Sequence, residues 1–573
     1  MNKSMKQPDP VLLTMNRRRF AGFCASIGLG ATLLPEALTT AAQNAEEITP
    51  EIVAAAEKVA GLTFSESERK SLAKRLNGLL KTYEYMRTIE LDNSVSPATV
   101  FNPVLPGMEF STERKPFRIN SVSVSMPSSI EDIAFYPVIH LAKLLETRQV
   151  TSTDLTKMYL RRLKKYDPVL HCVVTFTEDL ALRQARIADE EVAAGKYRGI
   201  LHGIPWGVKD LFARKGYPTT WGAEPYRNRI IDTDATVITR LTEAGAVLLA
   251  KLTTGRFAGG AKWFGGQTKN PWNTEESSSG SSAGPGAATS AGLVGFAIGS
   301  ETRGSIAGPC ERCGVTGLRP TFGRVSRYGA MTLCWSMDKV GPICRTAEDC
   351  AVVFNAIIGP DGHDNAVVDI PFNWNPSLDV RTLRVGYVKA EFEGKLESIG
   401  DRARLNKKFN NDALDVLRSL GIKLVPIELP NLSNDVSDII LTVEAMAALD
   451  YLNAGMKELV DDSGKEIKKF PAQRFVPAVE YLQANRARTL AMKEMAEMFS
   501  TINMYVTPTF VGPTNWLTNI TGHPELVLPH GFNSKGTPVS ISIVGGLYRE
   551  SEILALGRAY QNATDFHLKH PSL

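Results

Sequence analysis

The stretch that most restricts what this chain can become runs from Ser277 to Pro320: SSSGSSAGPGAATSAGLVGFAIGSETRGSIAGPCERCGVTGLRP. It joins a Ser/Gly turn, a helix of small residues, a short apolar run (Gly295-Phe-Ala-Ile-Gly299) and a second tight loop ending at Ser305. Glycine and serine permit backbone shapes that other residues resist, and they leave amide N–H groups uncovered. A solvated Ser/Gly tether has no use for the apolar run between its two halves. The pattern instead predicts two serines, each on a glycine-shaped loop, returning to one place across a buried element.

The rest of the chain is large enough to build such a place. Its 573 residues suffice for one very large domain with appendages or for three ordinary ones. With 43% hydrophobic and 22% charged residues it is globular rather than disordered. A net charge of +4 over this length points to no nucleic acid, and the basic cluster Arg161, Arg162, Lys164 and Lys165 reads as a solvated helix face. Seven cysteines are too few for a disulfide scaffold. Cys310 and Cys313 form a lone CxxC, read as packed core thiols or one bridge rather than a metal or redox centre. The histidines show no HExxH and no metal-ligand spacing, so no metal is expected.

Residues 1–45 read as an export signal. Asn16-Arg17-Arg18-Arg19-Phe20 resembles the twin-arginine motif, and Ala21 to Leu34 supplies a mild apolar region. That region is shorter than the roughly 20 residues a bilayer span needs, so no stable membrane span is expected. The long lead before Asn16 leaves Met5 and Met15 open as starts. The reading is a protein exported to the periplasm or beyond, a cytoplasmic tail being the alternative.

Residues 46–107 read as a helical arm and an extended strap. Thr49 caps a helix with Pro50 at its first position, and Ser65 to Glu68 forms a capping box ahead of Leu72, Leu76, Leu79 and Tyr83 at helical spacing. From 108 to 573 helical stretches (Tyr136–Thr147, Ser152–Tyr166, Leu180–Gly195) alternate with apolar runs such as Ala246–Ala250. This alternation predicts an α/β domain with a largely buried sheet. Residues 362–488 are more helical and charged, and read as an elaboration beside that sheet.

Three residues carry the chemistry: Lys209 in Gly203-Ile-Pro-Trp-Gly-Val-Lys-Asp210, Ser281 and Ser305. These motifs, with Gly-Ser-Glu-Thr-Arg-Gly-Ser-Ile, resemble the amidase signature family of serine hydrolases. The likeness continues through Gly317 to Ser326, Ser336-Met-Asp338, Gly341-Pro342 and Gly536 to Gly545, covering roughly residues 130 to 570. It implies a large mixed, twisted sheet covered by helices on both faces, preceded here by the arm. It also implies that Ser305 is the nucleophile, Ser281 the bridging serine after a cis peptide bond to Gly280, and Lys209 the base. Backbone N–H groups of Thr302, Arg303, Gly304 and Ser305 become the oxyanion donors. A serine hydroxyl needs an adjacent proton acceptor, and a lysine serves only when burial lowers its pKa from about 10.4. No cofactor is implied, and the substrate is a small or peptide-like amide; the oligomeric state stays open.

The chain departs from the family pattern at Glu301, where Asp is usual, at Arg303, where Gly is usual, and at Ala307, where Arg is usual. Backbone donors survive such changes; the Arg303 side chain either lines the pocket or turns away into a salt bridge. The glutamate variant resembles that of bacterial peptide amidases. Trp206, Trp221, Phe264 and Trp335 lie near the motifs, as pocket lining or as core. Two other readings compete. Gly280-Ser-Ser282-Ala-Gly284 matches the GxSxG elbow of α/β-hydrolase esterases, with His523 or His530 as partner, but the polar residues before Ser282 suit no central strand. The arm from Thr49 to Pro97 resembles the small helical component of the aminoacyl-tRNA amidotransferase, whose amide-cleaving component has the signature. A fused protein passing ammonia to charged tRNA is therefore the second alternative.

Overall fold

The computed structural model describes residues 47–86, 88–89, 91–394, 401–450 and 475–573. The export signal expected at 1–45 lies outside the described residues. The rest forms two compact units: one of residues from 47–93 and 446–480, the other of Ser94–Ala445 with Tyr481–Leu573.

In the first unit the arm is a helical hairpin whose ends follow from local sequence. The helix Pro50–Ala60 is capped by the Thr49 hydroxyl, which accepts from Ile52 N–H, and it stops at Gly61 with φ +65°. The helix Glu66–Met86 starts in the expected capping box: Ser65 N–H donates to Glu68 Oε2 at 2.7 Å and Glu68 N–H to Ser65 Oγ at 3.4 Å. The hairpin is fastened by Arg69 on Glu57 at 2.8 Å and by Asn77 bonding both backbone groups of Ile48. Its apolar stripe is only partly buried: Leu72 and Leu76 are half-buried and Leu79 is exposed.

The second unit is built on one mixed sheet. In chain order the strands are β1 (Val173–Phe176), β2 (Pro205–Lys209), β3 (Val247–Leu252), β4 (Lys262–Trp263), β5 (Gly266–Gln267), β6 (Lys269–Asn270), β7 (Asn273–Ser277), β8 (Phe296–Glu301), β9 (Thr316–Arg319), β10 (Lys339–Cys344), β11 (Val385–Val388), β12 (Leu424–Ile427), β13 (Met504–Pro508), β14 (Glu525–Phe532) and β15 (Pro538–Gly545). Eleven of them form the sheet, in the order β1-β3-β2-β8-β10-β9-β14-β15-β13-β11-β12, while β4 with β5 and β6 with β7 are separate hairpins. β2, β3 and β10 are buried along their whole length and carry no apolar/polar alternation; β15 is buried throughout as well, although Ser540 and Ser542 alternate with its apolar residues. The helices Val138–Glu146, Ser152–Leu170 and Glu178–Ala193 fall where helical spacing predicts them, with apolar faces in the core.

The topology matters for the site. β2 runs parallel to β8, and β10 runs antiparallel to β8, with Lys339 opposite Glu301. The last residues of β2 and β8 and the residue before β10 therefore meet at one end of these central strands.

Residues 94–129 contain no helix or strand; they run as a strap over this unit, where Phe101 meets Phe322 and Phe110 meets Tyr548, each edge to face. The stretch 362–488, expected beside the sheet, also enters it: β11 pairs parallel to β13, and β12, parallel to β11, forms the far edge. Among the described residues no helix is long and apolar enough to cross a membrane.

Candidate active site

Lys209 is the last residue of β2 and is fully buried. The strand lies tightly on its neighbour: a Cβ on Gly207 would stand 2.5 Å from Leu252 Cδ1. Ser281 comes from the Ser/Gly turn, after a cis peptide bond with Gly280. Glycine is required there by space, since a Cβ would fall 1.9 Å from the Gly260 carbonyl oxygen. From this turn the helix Ala283–Ser290 leads into β8, and the loop after β8 carries Ser305. Ser282 N–H donates to the Ser305 carbonyl at 3.1 Å, which ties the two serine loops together.

Lys209 Nζ stands 2.9 Å from Ser281 Oγ, 2.9 Å from Ser300 Oγ and 3.1 Å from the Ser300 carbonyl. All three partners are neutral. The adjacent carboxylate, Asp210, is held by Lys251 at 2.7 Å and by Thr220 N–H at 3.0 Å. Burial drives the Lys209 amine down from 10.5 to about 7, against the pull of Asp338 and Glu301. An amine that is neutral above that pH and hydrogen-bonded to a hydroxyl can take up its proton.

The loop between β8 and the helix Ala307–Cys313 is held open by the glutamate that ends β8. Glu301 Oε2 accepts from Ile306 N–H at 2.8 Å and Ala307 N–H at 2.9 Å. Its Oε1 accepts from Arg319 Nη1 at 2.9 Å and Asn519 Nδ2 at 2.8 Å. Arg319 also meets Glu525 at 2.8 Å, Thr518 Oγ1 and the His523 carbonyl. Burial pushes the Glu301 carboxyl up, but Arg319 and these donors outweigh it and hold the group at about 2. Between the two ends, Gly304 takes φ +84°, and a Cβ there would stand 2.8 Å from the Phe510 ring. Among the described residues the N–H groups of Thr302, Arg303, Gly304 and Ser305 donate to no backbone or side-chain acceptor, unlike those of Ile306 and Ala307. Four free donors next to a half-buried serine can hold a negatively charged oxygen. The Arg303 side chain turns away: it pairs with Asp438 and reaches Asn434 and Ser437 at 3.4 Å, on the helix Asn434–Ala448.

Ser282 does not fit an elbow. It is fully buried, its hydroxyl is engaged with the Ser300 backbone at 3.1 and 3.2 Å, and β7 ahead of it belongs to a hairpin outside the main sheet. His523 faces the Thr521 hydroxyl at 2.8 Å, and burial lowers its pKa to about 3; His530 is buried too, and lowered to about 4. Trp206 is core, stacked on Phe296 at 5.7 Å. Trp221 lies beneath the Arg229 guanidinium at 3.7 Å and Phe264 beneath Arg227 at 4.3 Å, while Trp335 is half-buried with its carbonyl accepting from Arg327. Cys310 and Cys313 are buried free thiols, not a bridge. Sequence reasoning did not single out Ser300 as a partner of the amine, nor the tie between the Thr302 hydroxyl and Asp338. Only strand register, unseen in a single chain of letters, brings those pairs together.

Comparison with known proteins gives the family of the chain. Residues 154–554 match the Amidase family. The chain is 34% identical over 482 residues to the A-type component of the glutamyl-tRNA(Gln) amidotransferase of Methylococcus capsulatus, covering 75% of this chain and 98% of that one. It resembles the solved native peptide amidase of Stenotrophomonas maltophilia with a TM-score of 0.67 and 28% identity, over 75% of this chain and 97% of that one. An amidase family protein from Bacillus anthracis gives a TM-score of 0.68 at 26% identity, covering 77% and 94% of the two chains. The chain belongs to the Amidase family, whose enzymes act on amides.

Proposed function

We propose that this protein is an amide hydrolase that cleaves a carboxylic amide to acid plus ammonia or amine through an acyl group on Ser305. The observation that carries the reading is the buried Lys209 amine, lowered to about 7 and 2.9 Å from Ser281 Oγ, beside the loop bearing Ser305. Lys209 takes the Ser281 proton while Ser281 takes that of Ser305, and the Ser305 oxygen bonds to the amide carbon. The carbonyl oxygen becomes an oxyanion bound by the N–H groups of Thr302, Arg303, Gly304 and Ser305. Return of the proton through Ser281 to the nitrogen lets the C–N bond break, leaving the acyl ester. Water, deprotonated along the same relay, then attacks that ester and frees Ser305 with the acid. Export belongs to the same reading and rests on the Arg17-Arg18 segment.

A second reading follows from the amidotransferase components among the relatives: an amide-cleaving component that passes ammonia onward. The experiment that separates the two incubates the purified full chain alone with a panel of primary amides and peptide amides and measures released ammonia. It is paired with fluorophosphonate labelling and peptide mapping of the adduct. Ammonia release without tRNA, with adduct on Ser305, supports the hydrolase. Release that demands charged tRNA favours the amidotransferase, and no adduct on folded protein removes both.

A further inference from the structure

We propose that Asp338 is a positioning residue of this reaction: its carboxylate holds the Thr302 end of the oxyanion loop, and its negative charge steadies the ammonium that Lys209 becomes when it takes the serine proton. This role depends on Lys209 being the base, as in the function proposed above, and adds a group with a task of its own to that machinery.

Strand register brings the groups together. Lys339 pairs with Glu301, so Asp338 stands one step beyond the ladder, beside Thr302, where β8 gives way to the loop. There the Thr302 hydroxyl donates to Asp338 Oδ1 at 2.6 Å. The other oxygen accepts from Leu333 N–H at 2.8 Å and Cys334 N–H at 3.0 Å. Every one of these partners donates, which is the set an ionised carboxylate requires. Glu301 fastens the far end of the same loop through Ile306 and Ala307. The four open N–H groups are thus strung between two carboxylates, one at each end, and donors that need no reorganisation stabilise an oxyanion best.

The charge of Asp338 acts on the base as well. β2 and β10 flank β8, so Lys209 and Asp338 come to the same end of these central strands. Lys209 lies among neutral hydrogen-bond partners, and the charges acting on it are those of Asp338 and Glu301, Asp338 the stronger. Asp338 itself faces Arg327 and another buried lysine, Lys339, whose amine bonds to the Met337 carbonyl. Burial raises the Asp338 carboxyl while Thr302, Cys334, Leu333 and Arg327 draw it back. Removing its charge makes Lys209 easier to deprotonate, yet leaves the ammonium formed during acylation less stable.

The test follows the second-order rate of labelling of Ser305 by a fluorophosphonate from pH 5.5 to 10, in the full chain and in Asp338→Asn, Thr302→Val and Lys209→Ala. Asp338→Asn is expected to lower the plateau about tenfold and to move the acid limb down by about half a pH unit or more. Thr302→Val keeps the charge and loses the tie, so its plateau falls by a similar factor while its acid limb stays in place. An acid limb unmoved in folded Asp338→Asn overturns the proposal, and so does an unchanged plateau in Thr302→Val. If Asp338→Asn does not fold by circular dichroism, Thr302→Val decides alone. Lys209→Ala tells the two levels apart: if it labels like the parent, the base assignment itself fails. If it loses labelling while Asp338→Asn and Thr302→Val behave as the parent, only the role of Asp338 falls.

Discussion

Replacing Lys209 by methionine removes the amine while keeping a side chain of similar length. A fall in pKa from 10.5 to about 7 corresponds to about 5 kcal/mol of differential interaction between the two protonation states. The sign follows from proton counts. Between pH 7 and 10.5 the unfolded chain carries a proton on Lys209 that the folded chain lacks, so the parent gains stability as pH rises through that window. Below pH 7 the residue is protonated in both states and the gain is gone. The methionine variant lacks this dependence. Chemical denaturation of both proteins at a series of pH values is therefore expected to give a stability difference, parent minus variant, that climbs by about 1.4 kcal/mol per pH unit above 7, reaching about 3 kcal/mol by pH 9.5. Lys339, also buried and lowered to about 7, is present in both proteins and cancels. The lost hydrogen bonds to Ser281 and Ser300 add a constant offset without a slope. The parent's kcat/KM, once an amide is in hand, should show its acid limb near pH 7. A stability difference flat from pH 7 to 9.5, or an acid limb near 10, would refute burial as the force that holds this amine neutral.

Ser305→Ala should abolish fluorophosphonate labelling and lower kcat by about a thousandfold or more, with an unchanged circular dichroism spectrum, because the residue is only half-buried. Arg319→Met leaves Glu301 and Glu525 buried without their shared cation, and denaturant titration should show a loss of about 3–5 kcal/mol at neutral pH. Gly280→Ala places a methyl group against the Gly260 carbonyl, so labelling of Ser305 should fall sharply and the melting temperature should drop. Arg303→Ala breaks only a partly exposed pair with Asp438 and should cost under about 1 kcal/mol by denaturant titration, with a smaller loss at high salt.

Local sequence was sufficient for the features that depend on neighbours along the chain. The Thr49 cap, the Ser65–Glu68 box and the Gly304 turn each follow from residues within a few positions, because they close rings only a few bonds long. The order of small residues and apolar run from Ser277 to Ser305 dictated a turn, a helix, a strand and a loop, since only Gly, Ala and Ser fit where backbone meets backbone. Tertiary structure alone decided what those pieces face. Arg303 had two open directions in the sequence, and the helix Asn434–Ala448, more than 130 residues away, turned it from the site. The stretch 362–488 looked like an appendage because β11 and β12 are short, yet β11 pairs parallel to β13 and β12 to β11, which brings both into the main sheet. Ser300 reached the amine, and Asp338 the Thr302 hydroxyl, through the pairing of β2, β8 and β10. Register between strands far apart in the chain is fixed by how the whole core packs, and no local pattern of residues encodes it.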